Sequence, residues 1–236
     1  MRAAQRQGCP PMGDTPAPRQ DPRQEAFGYV CHACSRCCQH KVIQVNPYEV
    51  ARLARRTGQT VAQFRANCTE NGAGNILRRD ETDTCIFLGA KGCTVHPDRP
   101  LVCRLYPLGR QVAYDGSERW LHMEPHPQTA GEYTGKGTIA AFIAAQGALP
   151  FMRAADGYVE WVRRACTAIE SGAGEMDAPD DVLDMDVAIA RHCTETGAVE
   201  PSDIEDRRTL HMEILYRQLG QTMGGTHDQK DAIGSE

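Results

Sequence analysis

Four thiols stand within eight residues in Cys31-His32-Ala33-Cys34-Ser35-Arg36-Cys37-Cys38. A Cys-x-x-Cys loop can turn both sulfurs onto one ion, and tandem steps of this kind serve ferredoxin-type iron–sulfur ligation as well as zinc sites. The chemistry expected is thiolate ligation of a metal, with a buried or redox-active thiol cluster as the competing reading. Adjacent Cys37 and Cys38 do not easily reach one ion together, so one of them would serve a second centre, bridge, or stay a free thiol. Cys85, Cys93 and Cys103 follow where distant ligands of a folded site should sit. Any one of them alone reads as a packed apolar cysteine, but beside the first tract the three read as ligands. Arg99 and Arg104 would neutralise thiolate charge or donate to sulfur, the bland reading being solvated arginines with local ion pairs. His32, His40 and His96 lie close to cysteines and are read as outer supports or as exposed residues. Cys68, Cys166 and Cys193 fall on helical stretches and read as core, while Cys9 belongs to the leader.

These donors need elements to hold them. After the first tract, residues 41–45 alternate as a short strand. Asn46-Pro47-Tyr48-Glu49 then offers an N-cap, a first-turn proline and a reciprocal glutamate, with Gly58 as the stop. Thr60-Val61-Ala62-Gln63 repeats the device. Residues 85–88 and 93–96 flank Gly89-Ala90-Lys91-Gly92 and predict a hairpin in which Cys85 and Cys93 each begin a strand. Pro97, Pro100 and Pro107 confine any helix around Cys103 to a turn or two. Further on, Phe151, Ala155, Tyr158, Val162, Ala165 and Ile169 recur at helical steps and predict one buried face.

At 236 residues the chain can bury a core without staples. Its eleven cysteines are an odd count, and residues 1–26, rich in Pro, Gln and Arg, hold no apolar run of the kind that opens an exported protein. No stretch approaches the roughly 18 apolar residues of a membrane helix. The expectation is a soluble, cytoplasmic protein without a membrane partner, in which clustered thiols hold metal rather than disulfides. Residues 27–112 carry 12 Lys/Arg against 6 Asp/Glu, and residues 113–236 carry 10 against 22. A basic cysteine-bearing half offsets the charge of bound thiolates and could also attract an acidic partner. Aromatic residues are sparse and no recognition helix is evident, so a nucleic-acid partner is not expected.

The tract CHACSRCCQH, followed by CIFLGAKGCTVHPDRPLVCRLYP, resembles the YkgJ-like cysteine-cluster family with its CxxCxxCC signature, described as a zinc- or iron-chelating domain. The resemblance covers about residues 27–112 and implies a metal-chelating protein, distantly similar to flagellin lysine N-methylases. Relatives carry a further cysteine before a Pro/Gly pair where this chain has His122-Met-Glu-Pro-His126-Pro127, which makes His126 a candidate substitute ligand beside the bland reading of a surface histidine.

The fold class expected is α+β, with a small cysteine-rich domain of short strands and a hairpin followed by a mainly helical half. Its divisions are a disordered leader at 1–26, the metal-binding domain at 27–112, a helical region packing on it at 113–222, and a tail at 223–236. The ligand set expected is Cys31, Cys34, Cys37, Cys38, Cys85, Cys93, Cys103 and His126. Of three functions, an iron–sulfur centre (4Fe-4S) working with a redox or protein partner is preferred over a structural zinc module for interaction. A metal-dependent protein-modifying enzyme, akin to a lysine N-methylase, is the third, and no nucleotide, HExxH or GxSxG motif supports it.

Overall fold

The computed structural model describes residues 21–32, 34–72, 74–113, 115–170 and 181–220. The expected linker at 171–180, the tail and most of the leader lie outside them. The last residues of the expected leader are engaged: Arg23 pairs with Glu118 at 2.8 Å and Ala26 bridges Thr138. The architecture is α+β, with seven helices and three two-stranded antiparallel pairs among the described residues.

Strand β1 (Tyr29–Val30) leads into the first cysteine tract. Helix α1 (Pro47–Thr57) begins with the predicted capping box. The Asn46 N–H donates to Glu49 Oε2 at 2.9 Å, the Glu49 N–H donates to Asn46 Oδ1 at 3.1 Å, and Gly58 ends the helix at φ 68°. Helix α2 (Val61–Cys68) repeats the box with Thr60 and Gln63. Strands β2 (Leu88–Gly89) and β3 (Gly92–Cys93) make the expected hairpin, and the short helix α3 (Leu101–Leu105) carries Cys103 between its prolines. Strands β4 (Leu108–Val112) and β5 (Glu118–His122) pair antiparallel, from Leu108 with His122 to Val112 with Glu118, and β6 (Glu132–Tyr133) returns to β1. Helices α4 (Ile139–Ala145), α5 (Leu149–Glu170), α6 (Met185–Thr196) and α7 (Ile204–Gln218) follow.

Three expectations need correcting. Residues 41–45 alternate, burying Ile43 and Val45, but they pair through a single bridge, Gln44 to Ile76, and form no strand. Cys85 stands before β2, because its carbonyl accepts the Leu88 N–H at 2.9 Å and turns the chain; Cys93 ends β3 instead of beginning it. On α5 the buried stripe is Phe151, Ala154, Tyr158, Trp161 and Ala165. The larger Trp161 turns that stripe inward, so Val162, Ile169 and the neighbouring Cys166 are exposed. Cys68 and Cys193 are core residues as expected.

The core is continuous between the cysteine-bearing segments and the later helices. Val50, Leu53, Phe64, Phe87 and Val95 pack with Met185, Ile189 and Cys193 of α6. A second cluster joins Phe27, Leu105 and Leu108 to Ile139, Phe142 and Met152. In the third, Tyr48 meets Phe151, Trp161 and Leu215. Among these helices His211 is fully buried: its Nε2–H donates to the Val182 carbonyl at 2.8 Å, and its Nδ1 accepts from the Tyr158 hydroxyl at 2.8 Å. Burial pushes its pKa from 6.5 down to about 4. The neutral ring is the folded form, so its contribution is complete above about pH 6.5 and is lost as pH falls toward 4, where the unfolded chain binds the proton first. Chemical denaturation at pH 7 and pH 4 should show about 3 kcal/mol lost through this residue, and the loss should shrink in a His211→Gln variant.

Candidate metal centre

Backbone bonds lace the first cysteine tract to the second. The Cys85 N–H donates to the Cys38 carbonyl at 2.9 Å, the His40 N–H donates to the Asp83 carbonyl at 2.9 Å, and Gln39 bridges Thr84. Ser35 takes a left-handed φ of 61°, which opens the single helical turn Arg36–Cys38 and swings Cys37 and Cys38 toward this seam. Cys85 and Cys93 are then set by the β2–β3 hairpin, and Cys103 by α3. That last placement uses the helix cap again. Glu49, whose Oε2 closes the start of α1, accepts the Leu101 N–H on Oε1 at 2.7 Å and so joins two helix starts through one buried carboxylate.

Cys37, Cys38, Cys85, Cys93 and Cys103 share one neighbourhood in which each feels the charge of others. Burial, then repulsion by Cys85, Cys37 and Cys93, pushes the Cys103 thiol well up. Burial also raises Cys85 and Cys93. The Cys38 S–H donates to the Cys37 sulfur, which holds the Cys37 pKa down and the Cys38 pKa high. Several thiols gathered this way do not ionise together without a cation among them. The backbone N–H groups of Arg36, Phe87 and Val95, each two residues after its cysteine, favour the thiolates of Cys34, Cys85 and Cys93. Donors of that kind stabilise thiolates and tune thiolate-bound metals. The donor set therefore suits zinc or iron in type and charge. Among the described residues no three His, Cys, Asp or Glu side chains are placed so that together they could hold a metal ion.

The two arginines separate. Arg99 stands among the thiols, its guanidinium bonded to the His96 carbonyl at 2.8 Å and to Gln146 Oε1 at 2.6 Å, with Cys103, Cys93, Cys31 and Cys37 opposing the fall in its pKa that burial causes. Lys41 faces Cys37 and lies over the Tyr106 ring. Arg104 is buried elsewhere: it donates to the carbonyls of Arg99 (2.9 Å), Gln146 (2.9 Å) and Pro97, and lies over the Phe151 ring, so it holds backbone and no thiolate.

Cys31 is exposed, and Cys34 sits at the edge of the group, under a loop that sequence reasoning missed. Its sulfur accepts the Ala130 N–H at 3.4 Å and lies 3.5 Å from the Thr129 hydroxyl. These contacts, the Ala130 N–H foremost, lower the Cys34 pKa. Only the Pro, Thr and Gly content of 125–131 marked this loop as a turn. His126 stands in the same loop, its Nδ1 accepting the Gln128 N–H at 3.1 Å and its own N–H donating to the Tyr106 hydroxyl at 2.9 Å. His40 pairs with Asp83 at 3.0 Å, His96 Nδ1 meets Arg99 at 3.3 Å, and His32 lies 4.0 Å from Glu132.

No helix among the described residues is long and apolar enough to cross a membrane. Residues 30–124 match the model of the CxxCxxCC family, whose working description is a zinc- or iron-chelating domain. No curated protein and no solved structure matches the chain.

Proposed function

We propose that the chain, whose residues 30–124 match the CxxCxxCC family, is a metal-binding cysteine-cluster protein holding an iron–sulfur centre, of the 4Fe-4S type, for electron transfer or in support of a modification reaction. The observation that carries this reading is the gathering of Cys37, Cys38, Cys85, Cys93 and Cys103 around Arg99. Sulfur is the donor throughout that group, and four such ligands are what a 4Fe-4S centre takes. The protein's part is to supply the thiolates, to offset their charge with Arg99 and Lys41, and to aim backbone N–H groups at sulfur, each of which moves a centre's potential. Cys31, Cys34 and His126 stand at the edge.

A structural zinc site is the second reading, and the shortness of the sheets supports it. The β2–β3 pair spans two residues a side, less than a hairpin needs to stand alone in water, so a metal would serve as its staple. Anaerobic purification, a visible spectrum and assays for bound iron, acid-labile sulfide and zinc separate the two. A brown protein with iron and sulfide is expected. Stoichiometric zinc without sulfide would overturn the iron–sulfur reading and leave the zinc module.

A further inference from the structure

We propose that Tyr106 is a positioning residue of the metal centre: its hydroxyl holds the 126–130 loop against Cys34 and, through that loop, tunes the Cys34 sulfur as a ligand. The proposal rests on the metal-binding reading and on the place of Cys34 in the signature tract.

Tyr106 closes the end of α3, the short helix that carries Cys103 into the inner group, so one element serves both the thiols and the loop. Its hydroxyl oxygen accepts the His126 N–H at 2.9 Å. From there the loop turns back on itself. The His126 carbonyl accepts the Thr129 N–H at 2.7 Å, and His126 Nδ1 accepts the Gln128 N–H at 3.1 Å. That turn brings the next two donors to one sulfur: the Ala130 N–H donates to Cys34 Sγ at 3.4 Å, and the Thr129 hydroxyl lies 3.5 Å from it. Because residues 126, 128 and 129 are bonded to one another, the anchor on Tyr106 fixes where the donors at 129 and 130 stand.

The other end of the loop belongs to the cysteine tract. Thr129 Oγ1 lies 3.3 Å from the Tyr29 hydroxyl and accepts the Gly131 N–H at 3.2 Å, and Glu132 is registered against Val30 in the β1–β6 pair. Residue 131 must be glycine here, because a Cβ would overlap the Tyr29 hydroxyl. The Tyr106 hydroxyl therefore ties the Cys34 side of the site to the helix of Cys103. The ring itself is held apart from that bond: Tyr29 meets it edge-on at 6.4 Å between centroids, and Lys41 Nζ lies 5.4 Å from its centroid. Phenylalanine would keep the ring and lose the oxygen. Hydrogen bonds to a metal-bound thiolate draw charge from sulfur, which moves the potential of the centre and the energy of sulfur-to-metal charge transfer.

The test compares Tyr106→Phe with the unaltered full chain, cobalt(II)-loaded and metal-free. Cobalt(II) should bind the variant in unchanged stoichiometry, with its thiolate charge-transfer band moved to longer wavelength, since a sulfur that has lost its donors gives up charge more easily. In the metal-free chain, iodoacetamide labelling read by peptide mass spectrometry should show Cys34 reacting about fivefold faster, the effect of one lost hydrogen bond, with Cys93 unchanged. The proposal is overturned if either the band or the Cys34 rate stays as in the unaltered chain. It is overturned equally if Cys93 quickens as much as Cys34, because Tyr106 would then be a general support of the fold. If the unaltered chain takes up no cobalt(II), the metal-binding reading fails and the tuning with it, whereas the Cys34 rate still decides whether Tyr106 holds the loop.

Discussion

Exchanging Cys103 for serine is expected to weaken binding of zinc or iron about a hundredfold, while exchanging Cys166 leaves it unchanged. A structural zinc site supplies about 10–16 kcal/mol, so one of four ligands carries about 3 kcal/mol, roughly two decades in affinity. Cys103 lies within the inner group, crowded by Cys85, Cys37 and Cys93. Cys166 is exposed on α5, outside that group. Competition with a chromophoric chelator measures both variants on one scale, and equal losses would remove Cys103 from the ligand set. The melting temperature of each metal-free variant, taken beside it, separates a lost ligand from a damaged fold.

Exchanging Arg104 for methionine is expected to cost about 4 kcal/mol of stability. Three carbonyls, of Pro97, Arg99 and Gln146, would lose their donor in a buried place, at about 1–3 kcal/mol each before relaxation, and methionine would recover part of the packing on Phe151. For a chain of this length that is a fall of about 10 °C in melting temperature. Arg104 ties the 97–99 segment, between Cys93 and Cys103, to the end of α4, so metal binding should weaken in proportion to the loosening of Arg99. A variant with unchanged melting would contradict the buried role.

Local signals in the sequence were legible where one residue type forces one geometry. Asn46 with Glu49, Thr60 with Gln63, and Gly58 specify caps within four residues, and the structure has each of them. The prolines around Cys103 limited α3 in the same way. Readings that depended on partners far along the chain failed. The alternation of residues 41–45 was real, but a strand needs a longer neighbour, and residues 75–77 supply a single bridge, through the Val45 N–H to the Asn75 carbonyl and the Leu77 N–H to the Ile43 carbonyl. Apolar spacing on α5 pointed to one face running through Ala155, Val162 and Ile169, and the larger Trp161 turned the buried face to Ala154 and itself instead. Arg104 beside Cys103 looked like a partner for thiolate, yet on a helix adjacent side chains diverge by about 100 degrees, which sends it to Phe151. The contact of the 129–130 loop with Cys34 had no signal of its own, since a backbone N–H aimed at a sulfur almost a hundred residues away leaves no mark on residue type.

The hydrogen bond from Cys85 to the Cys38 carbonyl, with the flanking contacts at 39–84 and 40–83, has a thermodynamic consequence. Bringing positions 38 and 85 together closes a long loop, and backbone pairing meets that entropy before any ion arrives. Metal affinity then need not include that entropy.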